Sequence, residues 1–424
     1  GNERRGQALE WRDVPVDIIQ HQKIQIPTNP EEVREHHVSH QLVSPILTNR
    51  NMKHNNFLCT IALLACLSCS TKQKVTVEYK DYRPLNMSSF VTLQKNILLD
   101  SPTEESRIQD FHIGRLLFAQ ERIYAIDKKE NKILMFNDEG KFLKSIGGAT
   151  GEISGNRLKI QDAALDAQSQ KLYAYCNTTC QIMVFDLDLN VEQTIPMVTP
   201  LLEIGLDGNC LYAIRTSLKR DGCELVVFDK NRLEGAPSVL WKQAGIPSGK
   251  QTPGETFILP EKLLSPSEDG TYASLPQSNR ICQIRNGKIT AAYDLDFGGQ
   301  APQSASYNIY NICASDSFLI FNTDSSKSWF ILNRKTGKCI VDENLHNDVC
   351  LGHNSRLIPV QGTNNGMAYG MSAAFVSQTL QHLKKHKEKF EQFGQMKLYH
   401  PYLPFLEKDI APQDNPMLYL WEIK

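Results

Sequence analysis

The 424-residue sequence carries almost no net charge: 46 lysines and arginines stand against 47 aspartates and glutamates, leaving −1 with histidine neutral. A balance of that kind gives no electrostatic case for nucleic acid, which is held through phosphate neutralisation by a basic face. The most apolar stretch, Phe57 to Leu67, is far shorter than the roughly 20 residues a spanning helix needs. Histidine is missing from the whole span between Gly114 and Leu345, which excludes a histidine-liganded metal site built inside it. No Gly-x-Ser-x-Gly elbow occurs. The run Gly147-Gly148-Ala149-Thr150-Gly151 lacks the Gly-Lys-Ser/Thr ending of a phosphate loop and reads as a connection between structural units.

What the sequence has is a recurring pair of apolar strands. Ile123-Tyr124-Ala125-Ile126 is followed by Ile133-Leu134-Met135-Phe136-Asn137, Leu172-Tyr173-Ala174-Tyr175 by Ile182-Met183-Val184-Phe185-Asp186, and Leu211-Tyr212-Ala213-Ile214 by Leu225-Val226-Val227-Phe228-Asp229. Successive steps, Phe136 to Phe185, Phe185 to Phe228, Phe228 to Ile284 and Ile284 to Leu332, are 49, 43, 56 and 48 residues. Self-similarity at this period means repeated four-stranded units, and hence a β-propeller. Turn signals separate the strands, among them Asp221-Gly222, Asn286-Gly287 and Asp138-Glu139-Gly140.

Five hairpin units are legible, and a sixth begins at Arg356–Val360 and Met367-Ala368-Tyr369. A helical pattern then interrupts it, with Val376, Leu380, Leu383, Phe390 and Phe393 on one face and Lys384, Lys385, Lys387 and Glu388 on the other. That face either packs on the propeller rim or touches a membrane. The terminal stretch Asp414–Lys424 is expected to close the last unit by pairing with Phe90-Val91-Thr92-Leu93, because joining chain ends in one sheet removes the open seam. The expected fold is therefore an all-β, six-bladed β-propeller over residues 86–424, with a short C-terminal helical insertion before the closing strand.

Met52-Lys53-His54-Asn55-Asn56, the apolar stretch after it and Ala65-Cys66-Leu67-Ser68-Cys69 have the layout of a secretory signal. A cysteine after a small residue at the end of such a run resembles a lipobox. Cys66 fits best and Cys69 is the close rival, so residues 52–69 read as a lipoprotein-type signal and 70–85 as a linker. Residues 1–51, polar and without periodicity, read as non-native upstream sequence or a disordered extension, with an N-terminal domain as the alternative. Eight cysteines lie beyond the signal: Cys176, Cys180, Cys210, Cys223, Cys282, Cys313, Cys339 and Cys350. Cys210 and Cys223 flank one hairpin and could face each other, or all eight are small apolar strand residues.

First strands ending in Leu165-Asp166 and Leu206-Asp207 stand 41 residues apart. Their aspartates either line a central axis or fix the turn that follows. On the first alternative Asp166 and Asp207 are axial ligand candidates, suited to calcium. Trp241, Trp329 and Tyr310 are candidates for an aromatic binding face.

The stretches Ile123-Tyr124 through Lys141-Phe142, Ile146-Gly147-Gly148 with Gly151-Glu152, Tyr293-Asp294-Leu295-Asp296-Phe297-Gly298 and Asp414-Asn415-Pro416 resemble the six-bladed β-propeller lipoproteins exported by Gram-negative anaerobes, relatives of NHL-repeat propellers. The resemblance implies fold and export rather than activity. Two functions fit. One is a non-catalytic binding or scaffold module at the cell envelope, lipid-anchored in the outer membrane or periplasm, needing no cofactor and holding a glycan, a peptide or an envelope protein. The other is a metal-dependent lyase or lactonase, calcium-type, with carboxylate ligands on the axis.

Overall fold

The computed structural model describes residues 71–424 apart from short internal segments, the longest being 245–261, 299–307 and 350–360. Residues 1–51, the signal segment with Cys66 and Cys69, Cys350 and Arg356–Val360 lie outside the described residues.

Strands dominate, and they fall into repeated four-stranded units. The first sheet is β3 (Ile113–Ala119), β4 (Arg122–Asp127), β5 (Lys132–Asn137) and β6 (Phe142–Gly147) in sequence order. A two-stranded ribbon, β7 (Glu152–Ile153) with β8 (Asn156–Arg157), leads to the second sheet. That sheet is β9 (Ile160–Asp166), β10 (Lys171–Cys176), β11 (Gln181–Phe185) and β12 (Val191–Pro196). The third is β13 (Glu203–Asp207), β14 (Cys210–Thr216), β15 (Gly222–Asp229) and β16 (Ser238–Ala244). Two further antiparallel quartets follow, β17 (Leu264–Ser267), β18 (Gly270–Ala273), β19 (Arg280–Arg285), β20 (Lys288–Asp296) and β21 (Ile309–Ala314), β22 (Phe318–Thr323), β23 (Ser326–Asn333), β24 (Lys338–Asp342).

These two quartets are fused. The segment 70–85, expected as a linker, contains strand β1 (Thr71–Tyr79), which pairs in parallel with β20 on one side and β24 on the other. The product is a nine-stranded sheet. Only Val75 and Val77 of β1 are buried in its core, and Lys74 and Glu78 point outward to ion pairs with Asp296 and Lys338.

The closing sheet joins both ends of the propeller-forming chain. Its order is β2 (Val91–Leu98), β27 (Met417–Ile423), β26 (Gly366–Met371) and β25 (Gln361–Thr363), with Val91 opposite Ile423 and Leu98 opposite Met417. The expected pairing of the early and terminal strands is thus observed. Helix α1 (Ala373–Gln392) precedes β27 and buries Val376, Leu380 and Leu383 against Met371, Tyr402 and Tyr419, while Lys384, Lys385, Lys387 and Glu388 are exposed. Its apolar face is a packing face.

The first strands neighbour one another in a circuit: β3 with β9, β9 with β13, β13 with β17, β17 with β21, β21 with β25, and β25 with β3. The apolar core is correspondingly divided among the interfaces between neighbouring sheets. Leu117, Tyr124 and Met135 of the first sheet meet Ala163, Leu172 and Met183 of the second, and Tyr175 and Val184 of the second meet Ile204, Leu211 and Val226 of the third. Each sheet therefore buries both faces, which explains why the paired strands read as continuous apolar runs rather than alternating ones.

Turn chemistry follows the sequence. Asn286 (φ 49°) and Gly287 (φ 74°) supply the two positive φ angles of a two-residue hairpin loop between β19 and β20. Near the closing sheet, Asn415, 1% exposed, donates to the carbonyls of Asp100 (2.8 Å) and Ser106 (2.7 Å) and accepts from the Ile108 amide (2.8 Å). It ties residues 100–108 to the entry of β27. Removing this amide strands backbone groups in the interior, so Asn415→Ala should cost about 3 kcal/mol in urea unfolding. A loss under about 1 kcal/mol would show that water replaces the amide.

Candidate functional site

The circuit of first strands brings together a charged cluster that the Leu-Asp repeats only hint at. Asp162 of β9 and Glu203 of β13 occupy the same position of consecutive repeats, four residues before Asp166 and Asp207. Arg115 of β3 reaches both: its Nε lies 2.8 Å from Asp162 Oδ1 and its terminal nitrogen 3.5 Å from Glu203 Oε2. All three side chains are buried.

The carboxylates also fasten backbone. Asp162 Oδ2 accepts from the Ile204 amide and Glu203 Oε2 from the Leu264 amide, each at 2.9 Å. Each acid thus holds the first strand of the next sheet, so the cluster links β3, β9, β13 and β17. Lys128 approaches from the β4–β5 turn, and a Cβ at Gly114 would meet its side chain at 2.5 Å; glycine there lets the lysine lie across β3.

Two carboxylates share one buried guanidinium. Burial pushes the Glu203 carboxyl above its ordinary value of 4.5, opposed by Lys128 and Arg115 and reinforced by Asp162. A carboxyl whose folded pKa is raised binds its proton more tightly in the folded state. Its stabilising share is therefore complete below the ordinary value and is lost as pH rises through the raised one. Glu203→Gln should narrow its deficit against the wild type, or overtake it, on going from about pH 5 to about pH 8. A deficit that widens over that range would contradict the assignment. Arg115→Ala, which strands two buried acids, should cost about 3–5 kcal/mol.

Asp166 and Asp207 are placed in the turns that end β9 and β13. Asp166 accepts from the amides of Gln168 and Ser169 and from the Ser169 hydroxyl, and forms an ion pair with Lys230. Although burial opposes it, these partners hold its carboxyl below the ordinary range. Asp207 accepts from the Asn286 amide at 2.9 Å. The two turns are neighbours through Lys230, whose ammonium also donates to the Gly208 carbonyl. Both aspartates serve turns and the contacts between sheets. Among the described residues, no group of three or more histidine, cysteine or acidic side chains is arranged to hold a metal ion.

The other candidates are packed. Trp329 is buried between Phe90 and Trp421, and Trp241 and Tyr310 lie half-buried against the cluster around Leu225 and Leu264. Cys210 and Cys223 do not face each other: Cys210 lies opposite Asp229 at one end of the β14–β15 hairpin and Cys223 opposite Thr216 at the other. Cys176, Cys180, Cys210, Cys223, Cys282, Cys313 and Cys339 are free thiols. Burial pushes Cys176, Cys223, Cys282 and Cys339 up to about 12, which leaves them protonated and inert.

These features define a mostly-β, propeller-like protein whose first strands converge on a buried ion-pair cluster. The chain belongs to the family defined by the domain of unknown function DUF4934, whose model matches residues 72–422, from inside β1 to the end of β27. No curated protein matches it. Among solved structures, a protein of Bacteroides fragilis NCTC 9343 described as exported is 13% identical, with a TM-score of 0.54 over 84% of this chain and 100% of that one. A DUF4221 family member from Bacteroides vulgatus is 9% identical, with a TM-score of 0.46 over 79% of this chain and 98% of its own. The first likeness is one of fold, and the second carries no argument.

Proposed function

We propose that the chain is a six-bladed propeller acting as a non-catalytic binding or scaffold module of the cell envelope, anchored by a lipid at Cys66 or Cys69. The observation that carries the non-catalytic reading is the Arg115–Asp162–Glu203 cluster. Where a propeller enzyme needs free ligands converging from several first strands, these acids are spent on a guanidinium and on the amides of the next strands. The blade count is supported by the circuit of first strands and by the division of the nine-stranded sheet into two quartets about β1. The lipid anchor is supported by the lipobox-like sequence at Ala65-Cys66, a few residues before β1 begins.

Two measurements test this. Cys66→Ser combined with Cys69→Ser should release the protein from the membrane fraction, and a double variant that stays membrane-bound would remove the anchor. Elemental analysis of the full chain, with thermal unfolding in chelator, should find no stoichiometric metal. A bound metal whose removal lowers the Tm would replace the binding reading with a calcium-type lyase or lactonase.

A further inference from the structure

Four tyrosines occupy one position of the repeat, on the second strand of consecutive units: Tyr124, Tyr173, Tyr212 and Tyr272. In three of them the ring reaches the following sheet. The Tyr124 hydroxyl donates to the Leu187 carbonyl at 2.6 Å, and the Gly287 amide donates to the Tyr212 hydroxyl at 2.9 Å. Arg334 lies over the Tyr272 ring, 5.7 Å from its centre, while the Tyr272 hydroxyl bonds to Asp269. The contacts to Leu187, Gly287 and Arg334 all land on the turn between the third and fourth strands of the next sheet, so the tyrosines act as clips.

Tyr173 breaks the pattern. It is only 7% exposed, its hydroxyl has no hydrogen bond among the described residues, and it lines a cleft of about 650 Å³ between the second and third sheets. The cause is the length of the opposing turn. Lys230–Pro237 is eight residues long, whereas the turns met by the other tyrosines, Asp186–Asn190, Asn286-Gly287 and Arg334–Gly337, have five, two and four. The long turn frames the cleft together with Tyr173 instead of bonding to its hydroxyl.

We propose that this cleft binds a short neutral saccharide through the Tyr173 hydroxyl. The inference rests on the reading of the chain as a binding module. The volume lies within the range of small-ligand sites. The walls offer the amides of Gln193 and Asn231, the charged ends of Arg232 and Glu234, and a phenol that both donates and accepts. Such groups suit a ligand carrying many hydroxyls. Among the described residues, Ile195 and Leu233 are the only aliphatic side chains in the lining, too few to receive the side chains of a peptide or an apolar ligand. Lys230 is already engaged by Asp166 and the Gly208 carbonyl, and Arg232 is balanced by Glu234, so no surplus positive charge selects an anion. The Tyr173 hydroxyl opens into the cleft, where a ligand hydroxyl can pair with it as donor or acceptor.

The test is saturation-transfer NMR and titration of the full chain with cellotriose, maltotriose, chitotriose and galactotriose, beside trigalacturonate and tetra-alanine. At least one neutral trisaccharide should bind. Tyr173→Phe should weaken it about tenfold or more while leaving the Tm unchanged. Tyr124→Phe, which removes a clip, should lower the Tm and leave the affinity unchanged. No binding by any neutral saccharide overturns the proposal, as does binding by trigalacturonate or tetra-alanine alone. Saccharide binding insensitive to Tyr173→Phe also overturns it, while leaving the binding-module reading intact. Release from the membrane and metal content are read independently of all these outcomes.

Discussion

The structure depends on a closure. Each sheet buries both faces only because it has a neighbour on either side, and the last sheet is completed by β2, a strand more than 260 residues ahead of β25. Three chain segments are fastened at that seam. The Lys424 amide donates to the Phe90 carbonyl, the Leu99 amide to the Pro416 carbonyl, and Ser315 to the Lys424 carbonyl. Asn415 adds the loop 100–108 to the same seam. Contacts of such sequence separation form late, after most of the loop-closure entropy has been spent. Until they form, the interfaces holding Trp329 with Trp421 and Leu134 with Leu418 lack one wall.

The polar centre answers a different demand. Apolar packing between sheets is non-directional and tolerates small rotations, whereas Arg115, Asp162 and Glu203 require four first strands in one register. Because each acid also accepts from the next strand's amide, a slip of one residue would leave a buried charge or a buried amide without its partner. The cluster thus fixes how the first, second and third sheets and β17 align. Its net stabilisation is modest beside the cost of breaking it.

Much of this architecture was legible because its signals are local. The paired apolar runs, the Asn286-Gly287 turn and the helical spacing of Val376, Leu380 and Leu383 each identify their element without any knowledge of distant residues. The closing pair of β2 and β27 followed from the need to remove a seam. Strand β1 escaped because Thr71-Lys72-Gln73-Lys74-Val75-Thr76-Val77-Glu78-Tyr79 has only two buried apolar residues and owes its conformation to strands more than 200 residues away. The axial acids were missed for a related reason. The Leu-Asp endings of β9 and β13 drew attention to Asp166 and Asp207, but the 41-residue offset also aligns Asp162 with Glu203, and only Arg115 from another sheet gives that match a meaning. The repeated tyrosine was visible from the start as part of the motif. Its role lay in the turn lengths of the following unit.

The placement of β1 also bears on how the molecule responds to a pull. The strand runs parallel to both β20 and β24, pairing with the first over Thr71–Thr76 and with the second over Thr76–Tyr79. Tension applied to the chain ahead of Thr71 along the strand axis would load these bonds together in shear, rather than peel them apart one at a time. The load would be divided between two quartets at the rim before reaching the closing seam, so that a tethered molecule would keep its ring under drag.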